Sequence, residues 1–163
     1  MIDKILLEKI SKILKEKKLT IATAESATGG LIANSLTNIS GSSEYFDRGL
    51  VTYSNRAKIE LLDLKKETLD KYGAVSKETA KEMAEGVRNK SKVDIGVSTT
   101  GIAGPSGGTK EKPVGIVFIG LSTKKETIVD KYQFNSDRLE NKENFCNAAL
   151  DLIHETIRWY FLW

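Results

Sequence analysis

The residues of this 163-residue chain that could do chemistry fall at three places where a predicted strand gives way to a turn. The first is Glu25-Ser26-Ala27-Thr28-Gly29-Gly30, between the apolar run Leu19–Ala24 and an apolar helical pattern. A strand that turns sharply into a helix gathers free backbone N–H groups and the positive end of a helix dipole at one spot. Ser26 there is either a nucleophile, with Gly29 and Gly30 letting a substrate approach the backbone, or, like Thr28, a plain helix cap. The second place is Tyr53-Ser54-Asn55 with Lys58 three residues further on. A lysine partly buried beside Ser26 would act as general base once its pKa fell from about 10.4 towards 7–8. Left on the surface it is one more solvated cation. The third is Thr100-Gly-Ile-Ala-Gly-Pro-Ser-Gly-Gly-Thr109, whose backbone N–H groups either cradle a phosphate or merely connect two strands. It has neither the Gly-Lys-Ser/Thr of a P-loop nor the glycine spacing of a dinucleotide fingerprint.

Two arginines join these candidates. Arg48, inside a predicted strand, pairs with a buried carboxylate or binds a ligand phosphate. Arg138 opens the last predicted helix, where a cation opposes the helix dipole, so it favours a ligand or a carboxylate partner. Other chemistry is scarce. Cys146 and His154 are the only residues of their kinds, which excludes an intrachain disulfide and a zinc site of the common Cys/His type. A Ser-His-Asp triad would have to recruit His154, which flanks an apolar helical stripe. Ser122-Thr-Lys-Lys125 fits a Ser-x-x-Lys pattern but sits in a predicted turn without companion motifs, and is read as chance. With 25 basic and 22 acidic residues the net charge of +3 gives no argument for nucleic acid, and it does not oppose a phosphorylated small ligand. Hydrophobic content of 40% and charged content of 29% describe a soluble globular chain, not a disordered one. No apolar run is long enough for a bilayer and no export signal is present, so no membrane partner and a cytoplasmic location are expected.

The elements that must position these residues follow from periodicity and punctuation. An amphipathic helix is predicted over 3–18, a strand at Leu19–Ala24 and a helix at Gly30–Thr37. A second strand covers Tyr45–Tyr53, and Ser54 caps a helix over Asn55–Leu62. Lys66–Tyr72 is a short helix stopped by Gly73, and Ser76 caps a longer helix to about Lys90. Asp94–Thr100 is a strand, Val114–Ser122 and Thr127–Phe134 form a hairpin, and a last helix runs from Asp137. Its buried stripe is Phe145, Ala149, Leu152, Ile153, Thr156 and Tyr160. The apolar end Trp159–Trp163 is expected to be buried against the body or a second subunit, which suggests a homo-oligomer. Helices alternating with strands, plus one late hairpin, predict one domain over 1–163: a three-layer α/β/α sandwich with a mixed β-sheet. Ligands in such folds sit beyond the carboxyl ends of strands, where all three loops would converge.

Five segments occur in a familiar order: Thr23-Ala-Glu-Ser-Ala-Thr-Gly-Gly30; Phe46-Asp-Arg-Gly-Leu-Val-Thr-Tyr-Ser-Asn55 with Lys58; Gly73-Ala-Val-Ser76; Thr100-Gly-Ile-Ala-Gly-Pro105; and Lys112-Pro-Val-Gly115. On these the chain resembles the CinA C-terminal domain family, over about residues 5–155. Active members of that family are nicotinamide-nucleotide amidases. The larger CinA proteins carry a further N-terminal domain, so the resemblance is to the stand-alone form. It implies hydrolysis of the carboxamide of nicotinamide mononucleotide (NMN) to nicotinate mononucleotide and ammonia, in pyridine nucleotide salvage, with no metal and no cofactor. It makes Ser26 the nucleophile and Lys58 its base, with backbone N–H groups of Thr28, Gly29 and Gly30 as candidates for the oxyanion hole. Tyr53, Asn55 and Thr100 would orient the lysine and the carboxamide. Arg48, Arg138 and the loop carrying Gly101, Ala103 and Gly104 would hold ribose and phosphate. The alternative from another class is a non-catalytic nucleotide- or partner-binding module of a competence or DNA-damage response. Two positions depart from many relatives: Ala27 stands where they have cysteine, and Lys142 where they have arginine.

Overall fold

The computed structural model describes residues 1–160. Helix α1 (Lys4–Lys17) is capped by the Asp3 carboxylate, which accepts the Leu6 N–H, and leads into β1 (Ile21–Glu25). After α2 (Leu31–Thr37), a 3-10 turn at Ser42–Glu44 and β2 (Phe46–Val51), the chain forms α3 (Asn55–Leu62), α4 (Lys66–Tyr72) and α5 (Lys77–Ser91). Strand β3 (Ile95–Gly101), the hairpin β4 (Ile116–Ser122) and β5 (Thr127–Gln133), and α6 (Arg138–Tyr160) complete it. Ser54 and Ser76 cap α3 and α5 as expected, by accepting the N–H groups of Ala57 and Thr79.

The five strands lie in the order β2-β1-β3-β4-β5. Strand β1 pairs in parallel with β2 and β3, whereas β4 runs antiparallel to both β3 and β5. The carboxyl ends of β1, β2 and β3 therefore share one edge, and the antiparallel hairpin brings the end of β5 and the start of α6 to the same edge. This is the mixed sheet of a three-layer α/β/α sandwich. Ile21, Ile95, Val97 and Ile119 pack on one face with Leu6, Ile10 and Leu14 of α1, Ile32 of α2, and Phe145 and Ile153 of α6. Ala22 and Ala24 point the other way, into a cluster with Leu62, Leu69, Met83 and Val87. The alternation of β1 between these clusters is the pleat of a central strand. Helix α5 lies close against the sheet because Gly96 and Gly120 offer no side chain: a Cβ at Gly96 would strike the Ala84 carbonyl, and one at Gly120 the Ala80 carbonyl.

Several boundaries differ from expectation. Strand β1 begins two residues later and takes in Glu25, β2 is shorter at both ends, and β4 starts at Ile116 because Pro113 to Gly115 form a turn with Gly115 at φ 91°. Of the apolar stripe on α6, Phe145, Ala149, Leu152, Ile153 and Thr156 are buried. Trp159, expected to be buried against the body or a second subunit, is 65% exposed on this chain, and the Tyr160 side chain and residues 161–163 lie outside the described residues. No helix among the described residues is long and apolar enough to cross a membrane.

Candidate active site

Lys58 is the anomaly from which the site is built. It sits on the second turn of α3 with 1% of its surface exposed, although it carries an ammonium group. The cap at Ser54 fixes where α3 starts, and the helix then turns the side chain inwards across the end of β1. Its Nζ lies 3.3 Å from Ser26 Oγ, 2.9 Å from the Thr52 carbonyl and 3.1 Å from the Tyr53 carbonyl. No carboxylate is among these partners. Burial without a countercharge lowers its pKa from 10.5 to about 8. The geometry suits the neutral amine: two hydrogens go to the two carbonyls, and the lone pair is left for the Ser26 hydroxyl.

Ser26 is 9% exposed and follows β1 directly. Its N–H donates to the Thr99 carbonyl at 3.0 Å, which extends the β1–β3 ladder by one bond and stops the residue from rotating. The expectation that Ser26 or Thr28 caps α2 does not hold. The cap position belongs to Gly30, at φ 97°, and has no side-chain hydrogen bond. The first turn of α2 is met by Glu25, whose Oε1 accepts the Ile32 N–H at 2.8 Å and whose Oε2 accepts the Ala33 N–H at 2.9 Å. The positive end of α2 is thus directed at a buried carboxylate, not at the serine. Thr28 donates its hydroxyl to the same carboxylate at 2.7 Å, and the Gly29 N–H is taken by the Ser26 carbonyl.

Ser26 and Lys58 open into a pocket of about 210 Å³ lined by Ala27, Tyr53, Ala74, Val75, Thr100, Gly101, Ala103 and Arg138. Among the described residues its only charged side chains are cationic, Lys58 and Arg138. Arg138 donates to the Gly104 carbonyl at 2.7 Å and to the Tyr53 hydroxyl at 3.3 Å, so it spans the mouth from the glycine loop to the end of β2. A cation at the start of α6 is therefore held by neutral acceptors, which leaves its charge available to a ligand.

The residues singled out in the sequence divide. Ser26, Lys58, Tyr53, Thr100, Gly101, Ala103 and Arg138 line one pocket, with Gly104 behind Arg138. Thr28, Gly29 and Gly30 line an adjoining depression of about 430 Å³ with Asn34, Leu139 and Lys142. Arg48 is elsewhere: half-exposed on edge strand β2, it forms an ion pair with its neighbour Asp47. Asn55 is exposed at the start of α3, and the lysine is oriented by backbone carbonyls without it. Thr100 turns its hydroxyl to the Ala74 carbonyl at 2.6 Å, so it secures the wall formed by residues 73–75.

Residues missed in the sequence are Glu25 and Asn141. Fully buried Asn141 donates to the Ala103 and Ser136 carbonyls, both at 2.9 Å, and pins the glycine loop to α6. Its signal was a polar residue four positions before Phe145 on an otherwise apolar stripe. That of Glu25 was a charged residue closing an apolar strand. The remaining candidates do not line this pocket: burial pushes the Cys146 thiol up to about 12, and burial, with the charges of Arg158 and Lys9, lowers the pKa of His154. No cluster of His, Cys, Asp and Glu suited to a metal occurs among the described residues.

A family model of the CinA C-terminal domain matches residues 3–157. A CinA-like protein of Chloroherpeton thalassium is 56% identical over 154 residues, which is 92% of this chain and 37% of the relative. A putative competence-damage inducible protein of Caldicellulosiruptor saccharolyticus is 50% identical over 92% of this chain and 36% of its own. The chain thus spans little more than a third of the length of these relatives. Solved structures of similar size superpose throughout. The competence/damage inducible protein CihA from Agrobacterium tumefaciens has TM-score 0.90 and 37% identity, over 97% of this chain and 98% of that one. The competence damage-inducible protein A from Klebsiella pneumoniae has TM-score 0.92 and 29% identity, over 95% and 96%. By sequence and by fold, this chain belongs to the CinA C-terminal domain family.

Proposed function

We propose that this domain is a serine/lysine amidohydrolase that hydrolyses the carboxamide of NMN. The observation that carries the reading is the buried, carboxylate-free Lys58 with its Nζ 3.3 Å from Ser26 Oγ. A structural lysine is rarely buried without a countercharge, whereas a general base gains from the lowered pKa that such burial imposes. The cationic, small-walled pocket supports an anionic substrate with a flat reacting end, and Arg138 at its mouth supports a phosphate there.

Neutral Lys58 takes the Ser26 proton as Oγ bonds to the amide carbon. The oxyanion that forms is received by backbone N–H groups of the turn after Ser26 other than that of Gly29, which the Ser26 carbonyl already holds. The Lys58 ammonium then protonates the leaving nitrogen, the C–N bond breaks, and ammonia departs from an acyl-Ser26. Water adds to the ester while Lys58 accepts its proton. The ester C–O bond breaks, that proton returns to Ser26 Oγ, and the nicotinate carboxylate is released. The test is purified protein with NMN, measuring ammonia and nicotinate mononucleotide. Turnover that disappears in Ser26→Ala, with the fold intact by circular dichroism, is expected. Undiminished turnover in that variant would refute the mechanism, and none in the wild type would leave a nucleotide- or partner-binding module as the reading.

A further inference from the structure

The proposed mechanism leaves one buried carboxylate among the described residues unused. Glu25 is 1% exposed, lies one residue before Ser26, and has no cationic partner in the ion pairs of the described residues. Its carboxylate instead collects four donors. Oε1 receives the Thr28 hydroxyl at 2.7 Å and the Ile32 N–H at 2.8 Å, and Oε2 receives the Ala33 N–H at 2.9 Å and the Thr23 hydroxyl at 3.2 Å. An ionised carboxylate has about four acceptor sites and no donor, so the set is filled.

Because Thr28 spends its proton on Glu25, it accepts the Thr99 hydroxyl across 2.8 Å, and the Thr99 carbonyl in turn accepts the Ser26 N–H. The Glu25 backbone carbonyl accepts the Thr52 N–H at 2.9 Å, and the Thr52 carbonyl is one of the two that hold Lys58. From one residue, then, bonded paths run to the nucleophile and to its base. We infer that Glu25 is the positioning residue of the dyad: its carboxylate clamps the 26–30 turn to α2 and β3, and its carbonyl sets the end of β2 that holds Lys58. A glutamine cannot replace it. Its NH₂ group must stand on one side or the other, where it would face the Ile32 N–H or the Ala33 N–H, donor against donor. Moving Ser26 Oγ by about 1 Å costs about 10²-fold in rate.

The inference rests on the serine/lysine reading, so its test is independent of any substrate. Ser26 is phosphonylated with a small alkyl fluorophosphonate: the Oγ–P bond forms, fluoride leaves, and Lys58 accepts the serine proton. The labelling rate is followed by intact mass. Glu25→Gln is expected to label at least tenfold more slowly than wild type, to show a native circular dichroism spectrum, and to keep the wild-type pH midpoint of labelling. A purely structural role predicts a lower melting temperature with an unchanged rate per folded molecule, and that outcome overturns the inference. If Glu25→Gln does not fold, Thr28→Val carries the test. It removes one donor and the link to Thr99 at nearly constant volume, and three- to tenfold slower labelling is expected. A rate within twofold of wild type in folded Thr28→Val refutes the clamp. Wild type that labels at Ser26 yet leaves NMN intact would count against the substrate assignment alone.

Discussion

Activity should rise with pH through a midpoint set by Lys58, and stability should rise with it. A pKa of about 8 means that at pH 7 only about one molecule in ten carries the neutral amine that can accept the Ser26 proton. At pH 9 about nine in ten do, so kcat/KM for NMN is expected to increase about tenfold between pH 7 and 9. The same shift acts on folding. Lys58 loses its proton near pH 8 when folded and near 10.5 when unfolded. Below pH 8 both states hold the proton, and the folded state bears the full penalty of burying it, about 3 kcal/mol for a difference of this size. Between pH 8 and 10.5 the unfolded chain binds the extra proton, so stability recovers as pH rises. Lys58→Met removes the charge at similar volume but strands the Thr52 and Tyr53 carbonyls, at about 1 kcal/mol each. It should therefore be more stable than wild type by about 1 kcal/mol at pH 7 and less stable at pH 10.5. The assays are a pH–rate profile and urea unfolding of both proteins at several pH values. A flat profile from pH 6.5 to 9 would refute the argument, and so would a stability difference that does not change sign.

Lys58→Ala should lower kcat by about 10²- to 10⁴-fold with the fold intact, as measured by ammonia release. Arg138→Ala should raise KM for NMN about tenfold and affect the dephosphorylated nucleoside far less, because the guanidinium is held by neutral acceptors at the pocket mouth. Gly120→Ala pushes a methyl group into the Ala80 carbonyl of α5, and should cost about 1–3 kcal/mol and lower the melting temperature. Cys146, buried and with its thiol pushed up to about 12, should resist iodoacetamide in the native protein at pH 8 and react after unfolding.

The sequence disclosed the elements because their punctuation is local. Ser54, Ser76 and Gly73 act within one turn of chain, and they cap or stop helices where expected. It disclosed the edge of the sheet where loops meet, because parallel strands joined by helices oblige their carboxyl ends to align. What it concealed was pairwise choice. Arg48 looked like a ligand residue from its place within a strand, but β2 is an edge strand, so that side chain met solvent and Asp47. Thr100 stands at the right end of β3, yet its hydroxyl found the Ala74 carbonyl, a partner 26 residues away that spacing does not reveal. The cap of α2 stayed open between two readings for a related reason. Ser26 and Thr28 are the residue types that cap helices, but Glu25 reaches over both of them to Ile32 and Ala33.

The Glu25 carboxylate at the start of α2 decides which part of the site activates the serine. Had the first turn of α2 faced Ser26, its partial positive charge would have stabilised an alkoxide directly. Glu25 absorbs two of those N–H groups, so the helix dipole is spent on a carboxylate. The burden then falls on Lys58. Two carbonyls hold the amine in place, no carboxylate is among its hydrogen-bond partners, and burial keeps its pKa near 8. A carboxylate in place of either carbonyl would return the lysine to its ammonium form and leave no lone pair for the serine. Neutral acceptors around Lys58 and a full set of donors around Glu25 thus assign opposite tasks to two buried ionisable residues. One is kept ready to gain a proton, and the other accepts the hydrogen bonds that order the turn beside it.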